Sequence, residues 1–282
     1  MAAESTIRFQ KPSELVVEQK ARWAWYADQG VGKSTLAASV GPWLRKNFPG
    51  RKALVISTEG ESVDAYKPYE DVILVVRIHN WDQLTEVLLI LKNPKNPFDV
   101  VIFDIWPSRL AAQKIGNLTF SPEEWQQILK MPERLTPRAN KGQDGYAMWE
   151  SIAALQVYTY ETFAALPIHL ALLFQPEERD KNGVIQMGPA LTPQAARFLR
   201  PAFKMCGYLY TADADEGELV VPNPRAISEK IRTRKMLIDD HAFYFAKGPS
   251  HVLGAVVTDP TWTKLAESFG SHPMTLEEEG ED

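Results

Sequence analysis

The chain has 282 residues and a single cysteine, Cys206, so no intrachain disulfide can form and nothing calls for an oxidising compartment. Histidine is scarce too: five are scattered along the sequence, and no His/Cys/Asp group has metal-ligand spacing. No apolar run reaches the length needed to cross a bilayer, and the start MAAESTIRF lacks the basic end and apolar centre of a signal peptide. These absences lead to the expectation of a soluble, cytoplasmic protein without membrane partners. Charge of one sign is also lacking. The net value is −5, and five acids lie in the last six residues, Glu277 to Asp282, leaving the remainder balanced. Affinity for a polyanion must then come from local patches. The tail, 271–282, reads as a solvated, disordered end or as a competitor for a basic surface.

The most informative stretch is ADQGVGKST, Ala27 to Thr35, between the apolar run RWAWYA and a helical pattern opening near Lys33. A strand turning sharply into a helix leaves unpaired backbone N–H groups at the helix start, and glycines let that backbone wrap a phosphate. Gly30, Val31 and Gly32 form the loop. Lys33 would reach the β/γ-phosphates, Ser34 would ligate a bridging Mg²⁺, and Thr35 would bond the α-phosphate. Ala27 stands where the usual pattern has its first glycine, which is compatible with a negative φ.

Downstream, continuously apolar strands alternate with helices. A helix is expected over Ser34 to Phe48 with a kink at Pro42, and strands over Lys52 to Thr58, Val72 to Arg77, Phe98 to Asp104 and Ile168 to Phe174. Asn80 should cap a helix through Leu91, with Gln83 completing a capping box. Residues 106–144 interrupt the pattern and read as an insertion with a short helix starting at Ser121. A long helix follows over Gly145 to Leu166. Residues 176–190 read as a mobile loop or hairpin, and a last helix should start with Asp259 as cap and Pro260 first. This alternation predicts an α/β fold around a mostly parallel sheet, with ligands at the carboxyl ends of its strands.

Three side chains fall at such ends. Asp104 can hold Mg²⁺ through its water shell, Glu59 can polarise a water for in-line attack, and Gln175 can sense a γ-phosphate through its amide. Glu59 could equally be a solvated loop acid and Gln175 a capping residue, whereas Asp104 would read as a surface acid only without the P-loop. Lys230, Arg232 and Arg234 would share one strand face, as a DNA-phosphate surface, as an arginine finger on a neighbouring subunit's ATP, or as a plain solvated face. A second basic group surrounds Arg197, Arg200 and Lys204. Tyr208, Tyr210, Phe243, Tyr244 and Phe245 are either core strand residues or a base-stacking surface.

The P-loop, STEG with Glu59, VVIFD with Asp104 and LLFQ with Gln175 together resemble the RecA-like recombinase core over about residues 20–260. The likeness is greatest to compact phage-encoded RecA-like ATPases, often listed as phage AAA or nucleotide-binding proteins, some of which act as single-strand annealing proteins. The resemblance implies one RecA-like P-loop NTPase domain over 1–270, with helices on both faces of the sheet and an antiparallel C-terminal strand extension. It further implies ATP and Mg²⁺ as cofactors, Lys33, Glu59 and Gln175 as catalytic groups, and Asp104 with Ser34 at the metal. Single-stranded DNA, a homo-oligomeric ring or filament and a single-strand binding protein are the implied partners. The sequence departs from the pattern at Ala27, in the IWP that follows Asp104, and in the long interval from Asp104 to Gln175. A P-loop kinase for a small molecule or nucleotide and a non-catalytic ATP-dependent scaffold are the alternatives.

Overall fold

The computed structural model describes residues 20–58, 63–119, 143–181, 184–213 and 232–269. An eight-stranded sheet forms its centre, in the order β10-β9-β8-β1-β5-β4-β2-β3. These strands are β1 (Arg22–Tyr26), β2 (Lys52–Ser57), β3 (Ile73–Arg77), β4 (Phe98–Asp104), β5 (His169–Phe174), β8 (Met205–Asp213), β9 (Arg232–Leu237) and β10 (Val256–Thr258). All pairings from β8 to β3 are parallel, while β9 and β10 join in antiparallel fashion. A separate two-stranded hairpin, β6 (Pro176–Lys181) and β7 (Val184–Pro189), follows β5 directly.

The apolar runs are continuous because the central strands are covered on both faces. Ala24, Tyr26, Ile56, Phe103 and Leu172 point into one core cluster, and their alternate neighbours Trp25, Val55, Ile102 and Leu173 into the other. The first face carries α3 (Trp81–Leu91), α5 (Gln143–Ala164) and α6 (Pro193–Ala202), through residues such as Leu84, Phe163 and Leu199. The second carries α1 (Lys33–Ala38), α2 (Val40–Asn47) and α8 (Trp262–Ser268), through Leu36, Trp43 and Trp262. A short α7 (Ser250–Leu253) precedes β10.

Several expectations shift in detail. The helix after the P-loop divides at Ser39, one turn before Pro42, where the ring denies Ala38 its i+4 hydrogen bond. Trp262 N–H donates to Ser39 Oγ at 2.7 Å, so the C-terminal helix braces this junction. Asn80 does cap α3, accepting from Gln83 N–H at 3.0 Å, but the Gln83 side chain returns to His79 N–H instead of the cap residue. A helix not foreseen, α4 (Ser108–Thr119), extends the alternation beyond β4 and buries Leu110 and Ala111. The helix start expected at Ser121 lies outside the described residues. Thr261, not Asp259, caps α8, because Asp259 adopts φ 46° and donates its N–H to Arg234 O. No described helix is long and apolar enough to cross a membrane.

Candidate functional site

The site lies along the carboxyl edge of the parallel strands. β1 ends at Tyr26, and the chain turns through Ala27 to Gly32 into α1. Gly30 (φ 82°) and Gly32 (φ 105°) take left-handed conformations that side chains disfavour, whereas Ala27 has no positive φ and needs no glycine. Gly32 is the N-cap of α1 and has no side chain with which to cap the amides at the head of the helix. Lys33 is buried and folds back, its Nζ donating to Ala27 O at 2.8 Å and Asp28 O at 3.1 Å. Ser34 is half-buried and Thr35 exposed on the first turn.

Strand order sets the other groups. β5 separates β1 from β4, so Asp104 stands two strand spacings, about 10 Å across the sheet, from the strand that feeds the loop. Register places Phe103 beside Leu172 and Tyr26 beside Phe174, so Asp104 and the loop emerge at nearly the same height. The Asp104 side chain is only 7 % exposed. Its Oδ2 accepts from the Tyr66 hydroxyl at 2.7 Å, while Oδ1 is buried without a hydrogen-bond partner among the described residues. An uncompensated buried carboxylate oxygen is costly, and a cation or water supplied from outside the chain relieves it.

Tyr66 belongs to a 3-10 turn, Asp64–Tyr69, whose Tyr69 ring covers Gly41 of α2. Sequence reasoning missed Tyr66. No periodicity or motif in that segment marks it as folding back over β4.

Gln175 follows β5 at the height of Ala27, between the loop and Asp104, and its carbonyl accepts from Ala190 N–H at 2.9 Å. The chain then enters the β6–β7 hairpin, which resolves the two expectations for 176–190 in favour of a hairpin. Glu59 and Lys230 lie outside the described residues. Thr58, immediately before Glu59, is tied to the end of β4 through Oγ1 to Ile105 O at 2.9 Å. Arg232 opens β9, and Arg234 lies two residues along it with its side chain beside Gly32 of the loop.

The aromatic run is mainly core. Tyr208 and Tyr210 are buried; Tyr208 stacks with Tyr244 on one side, the centroids lying 4.3 Å apart, and with Tyr210 at 5.9 Å, and burial raises the pKa of all three. Phe243 alone of this group is well exposed. The second basic group is not one surface: Arg197 and Lys204 are exposed, but Arg200 turns inward over the Phe245 ring at 4.5 Å. No group of three or more His, Cys, Asp or Glu among the described residues could hold a metal unaided. A metal here would therefore need oxygen ligands from a phosphate and water beside Ser34 and Asp104. No protein-family model matches the chain, and no curated protein matches it.

Proposed function

We propose that this chain is an ATP-hydrolysing P-loop protein of the RecA-like class that works on single-stranded DNA in phage recombination or replication, as a homo-oligomer. The observation that carries the reading is the pairing of a Gly32-headed helix, with Lys33 folded over its loop, and a buried Asp104 two strands away with an orphaned oxygen. Head amides and Lys33 suit the phosphate chain of ATP, and Ser34 with Asp104 suits Mg²⁺. Mg²⁺ held by Ser34 and Asp104 would supply Lewis-acid neutralisation of the phosphate charge.

The protein's own groups divide the remaining work. Lys33 leaves Ala27 O and Asp28 O to contact phosphate, exchanging neutral acceptors for charged ones. Tyr66 holds the Asp104 carboxylate in one orientation. Glu59 is assigned the general base that takes a proton from the attacking water. Gln175 is assigned the γ-phosphate contact, and its direct continuation into the hairpin, with exposed Ile185, offers a route from nucleotide state to a DNA-facing element.

ATP turnover with and without single-stranded DNA tests this reading. Phosphate release that DNA accelerates and that Lys33→Ala abolishes in a folded protein is the expected result. Transfer of phosphate to an added acceptor would make the chain a kinase, and ATP binding without turnover would make it a scaffold.

A further inference from the structure

β9 runs antiparallel to β8 and so begins at the edge where the parallel strands end. Tyr208 of β8 pairs with both Tyr26 and Leu237, and Arg234 opposes Thr211, three residues further toward the phosphate loop. Arg234 has the same strand parity as Met236, which is buried in the cluster on the α1 face. The Arg234 side chain reaches across β8, beyond the end of β1, to the loop itself. A Cβ added to Gly32 would lie 3.3 Å from Arg234 Cδ and 3.5 Å from Nη1. The backbone at this point is fixed, with Asp259 N–H donating to Arg234 O at 2.7 Å. Among the described residues the half-buried guanidinium has no hydrogen bond or ion pair.

We infer that Arg234 is a phosphate ligand supplied in cis: it grips the triphosphate bound at the loop of its own chain, not that of a neighbouring subunit or the backbone of DNA. The inference rests on the P-loop reading and adds a residue to that site. Guanidinium keeps its charge at all accessible pH values and matches phosphate oxygens with a planar fork of donors. Its partial burial beside the loop weakens solvent screening of that attraction. Gly32 then has two reasons to lack a side chain, its left-handed φ and the approach of Arg234.

The test compares wild type, Lys33→Ala, Arg234→Met and Arg234→Lys for Mg²⁺-ATP and inorganic triphosphate binding and for ATP turnover, with melting curves to confirm folding. Arg234→Met keeps the aliphatic stem against the loop, so lost affinity reports the charge. It is expected to weaken triphosphate binding at least 10-fold and to lower turnover by about 10²-fold, the scale of losing one preorganised charged donor. Arg234→Lys should recover only part of either, because an ammonium lacks the fork. Mixing Arg234→Met with Lys33→Ala should restore nothing, since each mixed chain still lacks one half of a cis site. Unchanged binding and turnover in Arg234→Met, or activity regained on mixing, would overturn the inference while Lys33→Ala still upheld the loop. Wild-type protein that binds neither ATP nor triphosphate would overturn the P-loop reading and this inference with it.

Discussion

The two ends of the parallel sheet both carry inward-facing polar side chains, and they treat them oppositely. At the amino end, the Arg22 guanidinium donates to Ala164 O, the last carbonyl of α5, to Leu166 O and Ile168 O of the turn that follows, and to Ala21 O. Beside it, His169 Nδ1 accepts from Ala21 N–H at 3.0 Å, and its ring sits edge-on to Trp43. At the carboxyl end, Asp104 keeps an oxygen without a partner, and Arg234 lies against the loop without one among the described residues. Arg22 and His169 are thus satisfied by their own chain, whereas the Asp104 carboxylate, a charge-bearing acceptor that is costlier to leave open than the indole N–H groups of Trp23 and Trp262, is not.

The comparison can be broken first at Asp104. Asp104→Asn should reduce Mg²⁺-dependent ATP turnover by roughly 10²-fold or more, the range of a lost charge-stabilising group. Its nucleotide-free melting temperature should hold or rise, because a buried charge with an open oxygen becomes a neutral amide. A variant with normal turnover would remove Asp104 from the site. At the opposite end the effects should reverse. Arg22→Met should cost about 2–3 kcal/mol of stability, from charged hydrogen bonds to carbonyls, with little change in ATP affinity. Denaturant titration and a nucleotide-binding isotherm on the same sample measure both.

A smaller, pH-dependent effect sharpens the contrast. Burial, aided by Lys20, Arg22 and Lys204, lowers the His169 pKa from 6.5 to about 3. The unfolded chain therefore takes up the proton first as pH falls. This contribution is fully present above about pH 6.5 and is lost on acidification toward pH 3, at a limiting slope of about 1.4 kcal/mol per pH unit. Comparing the pH dependence of melting in wild type and His169→Gln, which keeps an acceptor, isolates it; identical profiles would deny His169 the role. Least affected should be Cys206, whose thiol is wholly buried and pushed up to about 12. Thiol reagents should leave it unmodified in the native protein and label it after unfolding.

Much of the sheet was legible because its strands are buried on both faces: FDVVIFD and HLALLF read as strands from composition alone, and both end where the sequence places them. The loop was equally legible, since two left-handed glycines and a lysine leave a local signature. Partnerships across the fold were not. Tyr66 comes to Asp104 from 38 residues upstream through a 3-10 turn without periodicity. Arg234 invited a role in trans or on DNA, because the expected antiparallel extension does not by itself reveal the register that sets Arg234 opposite Thr211 and delivers it to the loop. Asp259 looked like a helix cap, yet its amide is engaged by a strand that local sequence cannot see.

Hydrogen exchange with and without Mg²⁺-ATP tests the central claim most directly, that the unsatisfied carboxyl edge is a triphosphate site. Nucleotide should slow exchange of the amides of 28–35 and of the residues around Asp104 and Arg234, leave the amino edge at Arg22 and His169 unchanged, and have no such effect in Lys33→Ala. Unaltered exchange at the loop under saturating Mg²⁺-ATP, or protection that persists in Lys33→Ala, would contradict it.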